Sequence, residues 1–113
     1  MIDPRHPGFD EPAPFAVRVS LGTEATVTVQ GELDIATAPL FKDAIAGIDV
    51  AALGRLVLDL EALDYIDLRG LRAVLALRAV CLRASVPLAI LPGPRRVQRM
   101  FELADQLSER LCR

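Results

Sequence analysis

The amino-acid sequence predicts a small α/β domain in which helices flank a mixed β-sheet. Segments of period-two alternation, or short continuous apolar runs, take turns along the chain with segments of helical period. Strand-helix-strand succession implies parallel neighbours joined by right-handed crossovers. With 113 residues, 52% hydrophobic and 25% charged, the chain has the length of one domain and the apolar content of a packed one. A chain of this size buries roughly two-thirds of its unfolded surface, so its core needs neither metal nor disulfide.

Residues 1–14 hold Pro4, Pro7, Pro12 and Pro14 without any periodicity and read as a flexible proline-rich tail ahead of a domain over 15–113. Phe15, Val17, Val19 and Leu21 alternate with smaller or polar residues, as do Ala25, Val27 and Val29; the turn signal Gly22-Thr23-Glu24 between them predicts a hairpin. A first helix follows. Thr37 stands in capping position, Pro39 fits the first turn, and Leu40, Phe41, Ala44, Ile45 and Ile48 recur at helical spacing. Leu56-Val57-Leu58-Asp59-Leu60 is nearly continuous and predicts a strand covered on both faces. Residues 68–85 form a helix with Asp67 placed to cap its free amides. Leu88-Ala89-Ile90-Leu91 is a second short buried strand, entered through Pro87 and ended by Pro92-Gly93. Pro94 opens a last helix with Val97, Met100, Phe101 and Ala104 on one face. The predicted order is β-β-α-β-α-β-α.

Helix 68–85 is the most informative element. At about 100° per residue, Gly70, Val74, Leu77, Cys81 and Ala84 fall in one narrow stripe that faces the sheet. Arg69, Arg72 and Arg83 lie opposite. Leu68, Leu71, Leu75 and Leu82 form a second apolar row; Leu71 and Leu82 are expected to pack on neighbouring helices, and Leu68 and Leu75 either to pack likewise or to form an exposed docking surface or a weak homodimer contact. Arg69 is a cation in a first turn where the helix dipole favours anions. It either folds back onto Asp67 or Asp64, or faces an anionic ligand or an acidic group of a partner.

Composition excludes several classes of function. The net charge of −2 conceals 12 acidic and 4 basic residues over 1–67, against 3 acidic residues and 9 arginines over 68–113. Aromatic content is 4% with no tryptophan to stack bases, so the arginines are expected on outer helix faces and nucleic acid is not expected as a partner. No run approaches the ~20 apolar residues of a membrane span, and the first dozen residues lack a signal-peptide core, so neither membrane insertion nor export is expected and the expected location is the cytoplasm. His6, Cys81 and Cys112 are too few for a Cys/His metal site, and Cys81 reads as a small core residue. Asp59, Asp64 and Asp67 follow a strand, where carboxylates can bind magnesium or accept phosphate, but the one lysine, Lys42, sits on the first helix. No nucleophile-base pair or phosphate-cradling glycine loop is present. Neither enzymatic activity, cofactor nor metal is expected.

Three stretches together resemble the STAS domain, the fold of bacterial anti-sigma factor antagonists. They are Gly31-Glu32-Leu33-Asp34 closing the second strand, Leu56 to Leu60, and, five residues on, Tyr65-Ile66-Asp67-Leu68-Arg69-Gly70-Leu71. Pro94 to Leu103 is similar to the family's last helix, and the likeness runs in order over roughly 15–105. The resemblance implies a mixed sheet flanked by helices, and a partner that is an anti-sigma factor of kinase-like ATPase fold whose capture frees a sigma factor. In the family's signalling members the motif reads Asp-Ser-Ser-Gly-Leu, and phosphorylation of its second serine adds about −1.5 to −2 charges and breaks the complex. Here Leu68 and Arg69 replace both serines, and no other Ser or Thr lies between Thr37 and Ser85. The resemblance then implies an antagonist without that switch, with Arg69 at the phosphoserine position. The implied binding residues are Asp34, Asp64, Asp67, Leu68, Arg69, Arg72 and Leu75. The alternative is a STAS module of another system, such as the soluble subunit of a lipid-transporting ABC complex or a sensor of a small anionic ligand.

Overall fold

The computed structural model describes residues 14–111; all of the expected 1–14 tail but Pro14, with His6, and Cys112 lie outside the described residues. The elements are β1 (Ala16–Ser20), β2 (Glu24–Leu33), α1 (Ala38–Ala46), a single 3-10 turn (Val50–Ala52), β3 (Arg55–Asp59), β4 (Leu63–Ile66), α2 (Leu68–Arg83), β5 (Leu88–Leu91) and α3 (Arg95–Leu111). This is the predicted order with one strand added. β4 escapes sequence reading because Leu63-Asp64-Tyr65-Ile66 is too short to show a period. Its pairing with β2 makes it a strand, with Gly31 opposite Leu63 and Leu33 opposite Ile66.

The sheet runs β1-β2-β3-β5, with β4 pairing β2 off that path. The hairpin β1-β2 is antiparallel, with Ala16 opposite Gln30, and every other pairing is parallel. The ten-residue β2 serves two parallel partners in succession. Glu24 to Thr28 pair with β3, Gly31 to Leu33 pair with β4, and the register shifts between Gly31 and Glu32. Gly31 takes φ 91° at that bulge, a conformation a side chain would strain.

Val27, Val29 and Leu33 of β2 and Leu56 and Leu58 of β3, with Leu60 just beyond it, are fully buried; Phe41 of α1 and Val74, Leu77 and Cys81 of α2 pack in the same core. The alternate residues Thr26, Thr28, Gln30, Val57 and Asp59 are half-buried. The expectation that the Leu56–Leu60 strand is covered on both faces is therefore corrected: Val57 and Asp59 keep part of their surface, and full burial belongs to one face. Four-residue β5 is corrected in the same sense. It pairs with β3 alone, at the edge, where Leu88, Ala89 and Ile90 are half-buried and Leu91 is exposed. Short apolar runs at the centre and the edge of a sheet look alike in sequence.

On α2 the predicted sheet-facing stripe is buried from Gly70 through Cys81, and Ala84 is half-buried. Leu71 is buried as expected, whereas Leu82, expected to pack on a neighbouring helix, is 70% exposed. Leu82 is the last residue but one of the helix, and no described element reaches over it. The helix closes with a Schellman turn: Val86 N donates to the Cys81 carbonyl at 2.9 Å and Ser85 N to that of Leu82 at 3.2 Å, with Ser85 at φ 58°. Burial pushes the Cys81 thiol pKa up, which keeps it a protonated core group. α3 buries Val97 and half-buries Met100, Phe101 and Ala104, the predicted face, and the Arg96 Nε–H donates to the Asp64 carbonyl to tie α3 to β4. Among the described residues no helix is long and apolar enough to cross a membrane.

Candidate docking site at the start of the second helix

Because β2 and β4 are parallel neighbours with Leu33 opposite Ile66, the residues that follow them, Asp34 and Asp67, emerge side by side at one end of the sheet. The Asp67 carboxylate works with both oxygens. Oδ1 accepts from Gly70 N at 2.9 Å, capping α2 as predicted, and Oδ2 accepts from Ile35 N at 3.2 Å, clamping the loop that leaves β2. The backbone closes the same junction, since Asp67 N donates to the Leu33 carbonyl at 3.2 Å. Gly70 lets α2 press onto this strand end. A Cβ at position 70 would stand 2.2 Å from the Leu33 carbonyl oxygen.

Asp34 organises the loop from within. Its Oδ1 accepts from Ala36 N at 3.0 Å and Thr37 N at 3.1 Å, an Asx turn, while Thr37 Oγ1 accepts from Asp34 N at 2.9 Å and donates to the Glu32 carbonyl at 2.7 Å. Thr37 occupies the N-cap position of α1, yet its hydroxyl makes no cap bond. The helix does not need one. Ala38 N reaches the Asp34 carbonyl, Pro39 has no N–H, and Leu40 N and Phe41 N reach the Thr37 carbonyl. The expected Thr37 cap is thus corrected to a brace running back along the chain.

The two aspartates hold a surface in place. Ile35 is 64% exposed on the clamped loop and Leu68 is 53% exposed directly after the clamp. Arg69 and Arg72 are exposed on the first two turns of α2, at a spacing that puts them on one face with Leu68. Among the described residues the ion pair is Arg55 with Glu24, at 4.0 Å on the surface, and no carboxylate comes that close to the Arg69 or Arg72 guanidinium. Arg69 folds back onto neither Asp67 nor Asp64, since neither carboxylate lies within 4.0 Å of its guanidinium.

Of the residues named from sequence, Asp34, Asp67, Leu68, Arg69 and Arg72 share this end of the domain. Asp34 and Asp67 are half-buried braces, and the exposed residues are Leu68, Arg69 and Arg72. Asp64 is half-buried on β4, its carbonyl engaged by Arg96. Leu75 is half-buried against the core, so it does not extend the Leu68 surface into a continuous apolar row. Ile35 was missed. Its signal was a large apolar residue inside the polar turn Asp34-Ile35-Ala36-Thr37, outside every periodic pattern. The seven arginines of the basic half that lie between 69 and 99 are all exposed, but Arg78 borders the clefts between α2, β5 and α3 and Arg96 reaches β4, so the expected outer-face placement is corrected for these two.

Asp59, Asp64 and Asp67 do not converge. Asp59 Oδ1 accepts from Glu61 N at 2.9 Å in its own turn, and among the described residues no three Asp, Glu, Cys or His side chains form a metal-holding group. Two adjoining clefts of about 410 and 320 Å³ between α2, β5 and α3 share Arg78 and Ile90 and are lined by none of the seven binding residues expected from sequence.

Residues 15–109 match the family model described as the STAS domain. An antisigma-factor antagonist STAS domain from Rhodobacter sphaeroides is similar at 25% identity and TM-score 0.59, over 70% of this chain and 87% of that one. An anti-sigma factor antagonist from Mycobacterium paratuberculosis superposes at TM-score 0.75 with 22% identity, over 87% of this chain and 84% of that one. The murine solute carrier 26 family member A9 anion transporter contains a similar unit, at TM-score 0.62 and 21% identity, over 73% of this chain and 14% of that one. The last two likenesses speak to the fold. No curated protein sequence matches the chain.

Proposed function

Since the chain belongs to the STAS domain family, we propose that it is a non-catalytic interaction module acting as an anti-sigma factor antagonist. It docks the start of α2 onto an anti-sigma factor of kinase-like ATPase fold and so frees a sigma factor, in the cytoplasm. The observation that carries this reading is the exposed set Ile35, Leu68, Arg69 and Arg72, held on the two aspartate braces. A preorganised patch loses little entropy on binding, and a small apolar centre beside arginines is the composition of an interface hot spot. The similar antisigma-factor antagonist from Rhodobacter sphaeroides supports the choice of partner.

Arg69 stands where the resemblance puts the phosphorylated serine. A guanidinium carries no hydroxyl to accept phosphate, so this module is not switched off at that position, and its partner presents acidic or acceptor groups there. The second reading, a module of a transport system or a sensor of a small anion, draws on the same exposed cation.

Affinity capture from native cells with the full chain, followed by identification and calorimetry of the captured protein, tests the proposal. The expected result is a kinase-like anti-sigma factor that binds the unaltered chain. Arg69→Glu and Leu68→Asp each weaken its binding at least about tenfold, or about 1.4 kcal/mol. Recovery of no such factor overturns it. Calorimetric binding of phosphate, a nucleotide or anionic lipid vesicles that Arg69→Ala abolishes favours the second reading instead.

A further inference from the structure

The two edges of the sheet meet solvent differently. β1 carries the exposed Arg18 at its centre. β5, Leu88-Ala89-Ile90-Leu91, has neither a charge nor a proline, the features by which exposed edges discourage further pairing. It pairs β3 in parallel, with Leu88 opposite Leu56 and Ile90 opposite Leu58. Leu56 N donates to the Pro87 carbonyl at 2.9 Å, and Leu60 N to the Leu91 carbonyl at 3.0 Å. In a parallel ladder alternate residues turn both backbone groups to the same neighbour. The N–H and C=O of Ala89 and Leu91 therefore point at β3. Those of Leu88 and Ile90 point away from it, and no described strand pairs with them.

The side chains of the same two residues lie on the core side of the sheet, opposite the buried Leu56 and Leu58, where the clefts between α2, β5 and α3 open. Leu88, with Leu82 and Val86, lines the first cleft; Val97 and Phe101 line the second; Ile90 and Arg78 line both. Arg78 is exposed, and no described carboxylate comes within 4.0 Å of its guanidinium, those of Glu102 and Asp105 at the second cleft included. An open strand edge thus runs beside two apolar clefts with one cation where they meet. We infer that β5 receives, as an added strand, an extended segment of another protein that carries an acidic residue two positions from a large apolar one. The segment's backbone pairs with Leu88 and Ile90. Residues directly opposite in a ladder share a face, so its side chains opposite those two enter the clefts, the apolar one packing there and the carboxylate pairing with Arg78. A second copy of this chain fits less well, since its β5 brings no acid to Arg78. Arg78 is about 15 Å along α2 from Leu68, so a segment at β5 leaves the surface proposed for the anti-sigma factor open.

The test uses the full chain and the end-blocked peptide Thr-Val-Thr-Glu-Thr-Val-Thr, whose Val-Glu-Val face offers the required pair in either strand direction. In the chain alone, amide hydrogen exchange is faster at Leu88 and Ile90 than at Ala89 and Leu91. Saturating peptide slows exchange at Leu88 and Ile90 at least about tenfold. The same peptide with Lys in place of Glu binds at least about tenfold more weakly, as does the Glu peptide to Arg78→Glu; the Lys peptide with Arg78→Glu recovers the affinity. An unchanged melting temperature confirms that this exposed-site variant is folded. Absence of peptide binding, or binding that leaves exchange at Leu88 and Ile90 unchanged, overturns the inference. Octanoate that displaces the peptide and binds as tightly overturns it in favour of a small carboxylate. Protection of Leu88 and Ile90 that rises with protein concentration, without peptide, overturns it in favour of a second copy.

Discussion

Two helices leave the same end of the sheet from neighbouring parallel strands, and each strand is followed by an aspartate, yet the two junctions are held in different ways. Between β2 and α1, Asp34 has three residues in which to turn, and every bond it makes stays within Glu32 to Ala38. Between β4 and α2 there is no loop. Asp67 is the single residue separating them, so it caps its own helix with one oxygen and reaches Ile35, 32 positions away, with the other. The first junction is local and the second is tertiary. The exposed groups proposed to meet a partner sit at the second, and the clamp that holds Ile35 also starts the helix that displays Leu68 and Arg69. Preorganisation of the patch therefore rests on few atoms, and it is sensitive to changes at the α2 side.

The largest expected effect is Gly70→Ala. Its Cβ would fall 2.2 Å from a backbone oxygen of Leu33, which cannot rotate away. We expect a loss of about 3 kcal/mol or more and a melting temperature lower by roughly 10–20 °C. Next come the aspartates, as a matched pair. Asp67→Ala removes a cap and orphans the Ile35 amide, at about 2 kcal/mol, and should raise hydrogen exchange at both Gly70 and Ile35. Asp34→Ala should cost about 1 kcal/mol, with faster exchange confined to Ala36 and Thr37. A larger effect from Asp34 than from Asp67, or exchange at α2 responding to Asp34→Ala, would break the distinction between a local and a tertiary junction.

A third contrast sharpens it from the other end of α2. Ser85 holds φ 58°, a conformation that L-residues adopt at a cost and glycine adopts freely, and its side chain makes no hydrogen bond among the described residues. Ser85→Gly should stabilise the domain by about 0.5–1 kcal/mol in a denaturant titration, with unchanged exchange at Gly70 and Ile35. The smallest effect is expected at the patch itself. Leu68→Asp removes a half-exposed side chain, so stability should move by no more than about 0.5 kcal/mol while partner binding is lost. That separation is what distinguishes a contact residue from a brace.

Much of this was legible in the chain. Alternation in Ala25, Val27 and Val29, the helical spacing of Val74, Leu77 and Cys81, and the cap at Asp67 rest on residues close in sequence, and each appears as predicted. The failures share a cause. β4 exists because β2 runs on past β3 and offers a second partner; Leu91 is exposed because β5 is the edge; Leu82 is bare because no described element packs beyond it. None of these is a property of the local residues. Thr37 shows the same limit at the scale of one side chain, since a hydroxyl in capping position has several acceptors within reach and the turn made by Asp34 selects among them.

For the site, sequence alone determined the residue types at the start of α2: an acid to cap it, a leucine and an arginine with no hydroxyl between them, and a glycine one step on. Local chemistry suffices there, because a cap and a missing functional group are read from adjacent positions. Tertiary structure decided which of those residues are braces and which are offered to solvent. It also brought Ile35 beside Leu68, across 33 positions of chain. That assignment depends on the pairing of β2 with β4, a long-range register that neighbouring residues do not encode.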